Sequence, residues 1–259
     1  LAKINDHLGR TIEYDDPPQR IVSLVPAITE TMYHLGLEKQ IVGRTRFCKF
    51  PKDKVKHAVN VGGTKDMKLE RIKDLNPDLI IAEKEENTKE MVEILEQYFP
   101  VFVFEIQKIH DVYQIVEDLG TVTDRKQKAS ELNAEIHTAF QSLPRMDGSR
   151  VAYVIWQNPY MVVGGNTYIQ STLDAMGLIN PFINRDSRYP EVTIDELNDA
   201  ELNYILLATE PFPFREKHLH EFKALVPKAI PVIIDGEMLW YGPKMLEAPH
   251  YFERLFNTV

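Results

Sequence analysis

A chain of 259 residues can bury a large core, as one domain or as two of ordinary size. With 44% apolar and 27% charged residues it is neither disordered nor collagen-like. The formal charge of −9, with acids and bases interleaved and no Lys/Arg-rich run, excludes the electrostatic footprint of a nucleic-acid binder.

In chain order, Leu1–Arg10 has no apolar segment of the kind a signal peptide needs, and its first residue, Leu rather than Met, reads as a processed or engineered start. Arg20-Ile-Val-Ser-Leu-Val is a β-branched run, and after it comes a helical pattern through Thr31, Met32 and Leu35 that Gly36 can stop. Ile41-Val42-Gly43 reads as the next short strand. A helix over Leu69–Leu75 must end before Asn76-Pro77, because proline disfavours the α conformation in the residue before it. Leu79–Ala82 is a continuous apolar run, the mark of a strand buried on both faces. A helix around Glu90–Tyr98 leads to a strand at Val101–Phe104. No apolar run reaches the roughly 18 residues of a membrane-spanning helix. The single Cys48 can form neither an internal disulfide nor a Cys-based zinc site.

After position 150 the same grammar returns. Val151–Ile155 is a strand, Ile169–Met176 a helix ending at Gly177, Tyr204–Leu207 and Pro231–Ile234 buried strands, and Tyr251–Phe256 a terminal helical stretch. The segment from Leu69 lies over the segment from Ile194 without a gap, placing Glu70 over Asp195, Asp74 over Asp199 and Ile80 over Ile205. Strands alternating with helices imply parallel sheets with helices on their faces. The expected fold is therefore α/β, with two αβα lobes of mainly parallel sheet.

Between the halves, Thr123 is placed to cap a helix from about Asp124 to Leu143. Ala129, Leu132, Ile136, Phe140 and Leu143 form its apolar stripe, and Pro144 ends it. At 1.5 Å per residue it would be about 30 Å long, a stiff interdomain connector that restricts hinge motion. The expected division is an N-terminal lobe over 1–122, a connecting helix over 123–145 and a C-terminal lobe over 146–259, with the ligand in the cleft between lobes.

Several segments resemble one family. Asp6-His-Leu-Gly-Arg-Thr with Pro18-Gln-Arg-Ile-Val-Ser-Leu-Val-Pro-Ala-Ile-Thr-Glu is similar to the mature start of the substrate-binding proteins of ABC importers that carry iron-siderophores and cobalamin. Val61-Gly-Gly with Lys68-Leu-Glu-Arg-Ile and Asn76-Pro-Asp-Leu-Ile-Ile resembles their second signature. Ile155-Trp-Gln-Asn-Pro-Tyr, Arg188-Tyr-Pro-Glu-Val, Glu210-Pro-Phe-Pro-Phe-Arg-Glu-Lys-His and Asp235-Gly-Glu-Met resemble the cobalamin-binding branch. The resemblance implies a non-enzymatic receptor of the helical-backbone class, periplasmic or anchored on the outer face of the cytoplasmic membrane, and monomeric. It would have no cofactor of its own, its ligand being a metal chelate such as cobalamin or a ferric siderophore. It further implies that one carboxylate per lobe docks onto the permease, and the matching positions are Glu70 and Asp195, with Glu196 as the fallback beside the latter.

Ligands of open α/β lobes sit beyond the carboxyl ends of the strands. That rule places Pro26, Phe47, Glu83, Trp156, Phe212 and the Glu237–Tyr241 loop at candidate mouths. By the resemblance, Phe47 stands where cobalamin receptors have a tyrosine, and Trp156, Trp240 and Tyr241 would line the second lobe. Thr64 and Glu83 depart from the pattern, for those receptors carry tryptophans there. Arg185, Arg188 and Tyr189 cluster in a loop after a helix, where the arginines can meet anionic groups of a ligand. No nucleophile elbow, P-loop or dinucleotide fingerprint occurs. The alternative is a cytoplasmic binding module or a chelatase-like enzyme of the same fold acting on tetrapyrroles, for which His218 with Glu216, or Glu237, is the available metal-binding set.

Overall fold

The computed structural model describes all residues, 1–259. The chain forms two compact units, the first of residues 1–106 and 110–136, the second of 107–109 and 137–259.

The first unit opens with an antiparallel hairpin, β1 (Ala2–Asn5) and β2 (Thr11–Tyr14). The alternating run then supplies β3 (Ile21–Ser23), α1 (Pro26–His34), β4 (Ile41–Arg44), β5 (Val59–Asn60), α2 (Leu69–Leu75), β6 (Leu79–Glu83), α3 (Lys89–Leu95) and β7 (Val101–Phe104). The five strands from β3 to β7 lie in the order β5-β4-β3-β6-β7, all parallel. From β3 the chain moves outward through β4 and β5, then returns to place β6 on the other side of β3. Strand order thus reverses between β3 and β6, the place where open α/β sheets hold ligands beyond the strand ends. β6 and β7 are buried throughout, as their unbroken apolar runs require. On one face Val22, Leu24, Ile80, Ala82, Val101 and Val103 pack with Ile72 of α2 and Met91, Val92 and Leu95 of α3.

Two helices come next, α4 (Ile109–Val122) and α5 (Lys126–Phe140). The connector expected over 124–143 is thus shorter, and before it stands a helix that the sequence pattern had not been assigned. Thr123 does not cap α5. Its hydroxyl donates to the Leu119 carbonyl at 2.6 Å, so it closes α4, and Asp124 turns the chain with φ of 53°. A Cβ at Gly120 would stand 2.4 Å from that of Ala129, so glycine is what lets the two helices approach this closely. The predicted apolar stripe is divided: Ala129, Leu132 and Ile136 are buried in the first unit, whereas Leu143 and the half-buried Phe140 join the core of the second.

The second unit contains β8 (Val151–Trp156), β9 (Met161–Val162), α6 (Tyr168–Ala175), α7 (Ile194–Asp199), β10 (Tyr204–Ala208), α8 (Glu216–Leu225), β11 (Ile230–Ile234) and α9 (Lys244–Phe256). Its sheet runs β11-β10-β8-β9, with only β9 antiparallel. The period of two along each strand sorts residues to two cores. Val151, Tyr153, Leu206 and Ala208 pack with Leu173 of α6 and Ala248 and Phe252 of α9. Ala152, Val154, Ile205 and Leu207 pack with Leu197 of α7 and Phe222 of α8. Helices on both faces of one sheet are the αβα sandwich expected for this half.

Candidate functional site

In the first unit the carboxyl ends of the parallel strands carry a polar network. Pro26 lies just past β3 as the first residue of α1, where its fixed φ suits a helix start. Beneath it, the Thr29 hydroxyl donates to Ser23 Oγ and to the Val25 carbonyl, both at 2.8 Å. Cys48 lies within 3.2 Å of the Thr29 hydroxyl and 3.3 Å of the Thr45 hydroxyl, and burial pushes its thiol up. Phe47 is 43% exposed at the end of β4, with the Arg46 guanidinium 4.8 Å from its ring centre. That guanidinium is held by both oxygens of Asp66, at 2.9 and 3.0 Å. Glu83 ends β6 as a buried carboxyl, and Thr64 is bound through its carbonyl to Asn87 Nδ2 at 3.0 Å.

The strand ends of the second unit are aromatic. Trp156, 40% exposed, meets the half-buried Phe212 edge-on at 5.7 Å between ring centres. Phe212 leans on Phe214 at 4.6 Å and on His218 at 5.7 Å, and Phe214 in turn on Phe222 at 5.9 Å. Offset and edge-on ring contacts of this kind add about 0.5–1.5 kcal/mol each beyond area burial. Trp240 comes after the 3-10 turn Gly236–Leu239 and donates its indole N–H to Glu210. The turn is capped by Asp235, whose Oδ1 accepts from the Glu237 N–H at 3.1 Å. A Cβ at Gly236 would meet Glu210 Cγ at 2.6 Å, so the Glu210 loop and the Glu237 turn fit only because position 236 is glycine. Tyr241 is buried, edge-on to Tyr168 at 5.9 Å.

Of the expected cluster of Arg185, Arg188 and Tyr189, the first is held by a side chain of its own unit. Arg185 is bonded to Glu196 of α7 and lies 6.0 Å from the Phe182 ring. Arg188 and Tyr189 are half-buried, and the Arg188 carbonyl accepts from the Gly164 N–H at 2.8 Å. His218 is buried, its Nδ1 accepting from the Arg215 N–H at 2.8 Å, while Glu216, two residues earlier and so on another face of the helix, is exposed. No three His, Cys, Asp or Glu side chains are arranged to hold a metal ion.

The paired carboxylates are placed alike. Glu70 stands in the first turn of α2, exposed, with Lys73 at 3.2 Å. Asp195 stands exposed in the first turn of α7. Its neighbour Glu196 accepts from the Thr193 N–H at 2.8 Å, completes a capping box and binds Arg185. Glu196 is therefore committed to its own helix start, which leaves Asp195 as the free carboxylate of that turn. Asn87 and Glu210 organise the two sets of loops and were not singled out from sequence. Their signal was position, a few residues past a buried strand.

The sequence pattern of the periplasmic binding protein family matches residues 21–227. The chain belongs to that family. Within the family it is 28% identical over 188 residues to the vitamin B12-binding protein of Vibrio parahaemolyticus, covering 71% of this chain and 68% of that protein. Among solved structures, the periplasmic vitamin B12 binding protein of Vibrio cholerae shares the fold with a TM-score of 0.74 at 19% identity, over 93% of this chain and 98% of that one. The periplasmic heme binding protein of the same organism gives 0.76 at 19% identity, over 92% and 98%. Both share the α/β fold of this periplasmic binding protein. No helix is long and apolar enough to cross a membrane.

Proposed function

We propose that the chain is the substrate-binding receptor of an ABC importer, capturing a metal chelate of the corrinoid or ferric-siderophore class and delivering it to a membrane permease. The observation that carries this reading is the aromatic set of Trp156, Phe212 and Trp240 at the strand ends of the second unit, stiffened by the rings and by Glu210 behind it. Such rings give a large flat ligand contact area at little entropic cost. In the first unit Phe47 is the exposed ring at the strand ends, whereas Pro26 is buried at the start of α1 and shapes the turn without offering surface of its own. The V. parahaemolyticus relative, named for vitamin B12, supports a corrinoid, and the heme-binding neighbour keeps other flat chelates in view.

Glu70 and Asp195 are the carboxylates we assign to permease docking, each exposed in the first turn of a corresponding helix. Bidentate pairing with arginine would fix register more than affinity. The receptor works as a monomer in the periplasm or anchored on the outer face of the cytoplasmic membrane, and its chemistry is capture without catalysis. Thermal unfolding with cyanocobalamin, heme and ferric hydroxamate tests it. A ligand at 100 times its Kd adds about 2.7 kcal/mol, roughly 5–10 °C for a chain of this size. A rise with at least one probe is the expected result, and no rise with any of them would sink the reading.

A further inference from the structure

Glu83 is the last residue of β6 and is 2% exposed. Its Oε2 accepts from the N–H groups of Glu85 and Glu86, both at 2.9 Å. Its Oε1 is enclosed, with no hydrogen-bonding partner. The Glu83 N–H donates to Asn87 Oδ1 at 2.9 Å, and Asn87 Nδ2 donates to the Leu24 carbonyl at 3.2 Å and to the Thr64 carbonyl at 3.0 Å. Glu83 thus closes the 84–87 turn at its centre. Through Asn87 that turn is tied to the end of β3 and to the loop after β5.

An enclosed oxygen without a partner tolerates a proton far better than a charge. The groups around it do nothing to reverse that preference. Glu85 and Glu86, on its own turn, are acids that repel a second charge. Lys84 is bound to Glu105 beyond β7 at 2.8 Å, and Lys65 of the facing loop donates to the Glu85 carbonyl. Arg46 is held by Asp66, and His7, which packs on Phe104, is held by Asp118 at 3.0 Å. The Leu24–Pro26 turn carries no charge, and Glu30 of α1 is a further acid. Burial pushes the Glu83 carboxyl up to about 7, against the two backbone N–H bonds and with help from Glu85 and Glu86.

We propose that Glu83 is a proton-operated latch on the ligand-side rim of the first unit: protonated, it holds the 84–87 turn closed, and on ionising it draws in water and loosens the loops that Asn87 ties together. Its meaning for ligand hold rests on the capture reading proposed for the chain. The proton leaves to solvent and no bond other than O–H is broken. Ligand is then held best in mildly acidic to neutral medium and more weakly as the medium becomes alkaline.

Glu83→Gln keeps the shape and an acceptor for the Glu85 and Glu86 N–H groups while removing the charge, and Glu83→Leu is a second neutral variant should the first fold poorly. Native-state hydrogen exchange, read as protection factors for the 84–88 amides, is compared at about pH 6 and about pH 8.5. Wild type is expected to lose protection by about tenfold or more, the loss allowed by ionising a group well above its midpoint, while the neutral variant changes less than about twofold. Equal protection at both pH values in wild type, or the same loss in the variant, overturns the latch. Titration with cyanocobalamin and ferric hydroxamate adds the second arm. Kd should weaken with pH in wild type only, and a Kd that is flat in wild type overturns the coupling to ligand. If the amides respond as expected but no probe binds either protein, the latch stands and the capture reading fails.

Discussion

The two units present the same strand ends with opposite materials. In the first, Ser23, Thr29, Thr45, Cys48, Glu83 and Asn87 are buried and joined by directional hydrogen bonds. In the second, Trp156, Phe212, Phe214, His218 and Phe222 lean on one another through ring faces and edges. A hydrogen-bonded rim fixes loop position sharply and fails when one donor is lost, because each partner is left unpaired in a dry place. A ring-packed rim fails when volume is lost, because the neighbours collapse only in part. The two materials should therefore respond to different insults.

Volume loss gives the largest effect. Phe214 is 2% exposed at the centre of the ring ladder, and Phe214→Ala should cost about 3–5 kcal/mol. The measurement is chemical denaturation monitored by Trp156 and Trp240 fluorescence. A cost below about 1 kcal/mol would mean that the ladder is not a packed unit. In the first unit the matching cut is Asn87→Ala, which strands the Glu83 N–H and the Leu24 and Thr64 carbonyls. It should cost about 2–3 kcal/mol, with the loss of amide protection centred on residues 84–88. Asn87→Asp, which keeps the acceptor and removes the donor, should lose part of that and would sharpen the comparison.

Much of this architecture was legible in sequence because apolar runs between turn residues can be little else than buried parallel strands. Leu79–Ala82, Val101–Phe104 and Tyr204–Leu207 all fell where strands lie, and the helix at Leu69–Leu75 ended at Asn76, which adopts φ of 42° before Pro77. The α4 helix was passed over although Val112, Ile115, Val116 and Leu119 repeat at helical spacing. Thr123 looked like a cap for α5 and is instead hydrogen-bonded to the last turn of α4, a choice that depends on tertiary packing at Gly120. The hairpin of β1 and β2 was missed because its strands are half exposed and only four residues each. At the strand ends, sequence named the residues that present surface, such as Phe47 and Trp156, but not those that hold them. The roles of Asn87, Glu210 and Arg185 are set by partners distant in sequence or by a turn geometry that no spacing reveals.

A smaller effect is expected from pH outside the ligand-side loops. His7 ties the residues between β1 and β2 to β7 and α4, with Nε2 on Asp118 Oδ2 at 3.0 Å and its ring edge-on to Phe104 at 5.0 Å. Burial works against the charged ring, but Asp118, the Glu105 carbonyl and Asp6 outweigh it and raise the pKa above 6.5. A raised folded-state value means that the stabilisation is complete below the ordinary value and is lost as pH rises through the folded one. Glu83, raised from 4.5 to about 7, acts in the same direction over a more acid window. Wild-type stability should therefore fall in a first stage as pH rises from 4.5 through about 7, the Glu83 window, and in a second that begins near 6.5, where His7 starts to lose its proton. Glu83→Gln should erase the lower stage and His7→Gln the upper. Urea midpoints at closely spaced pH values check this, and a single stage removed by neither substitution would break the assignment.

The smallest effect on stability belongs to the residues with the largest proposed role in transport. Glu70 and Asp195 are exposed, and Glu70 pairs with Lys73 at 3.2 Å. Exposed ion pairs and first-turn charges are each worth less than about 1 kcal/mol, so Glu70→Gln and Asp195→Asn should unfold within about 0.5–1 kcal/mol of wild type. Glu196→Gln should cost more, because that carboxylate closes the capping box of α7 and binds Arg185. The opposite order is expected for delivery of ligand to membranes carrying the permease: a large loss for Glu70→Gln and Asp195→Asn, and little for Glu196→Gln. If Glu196→Gln alone abolished delivery, the docking carboxylate of the second unit would have to be reassigned, and the match between the two helix starts would be structural only. If neither exposed carboxylate mattered, the docking role proposed for both helix starts would fall.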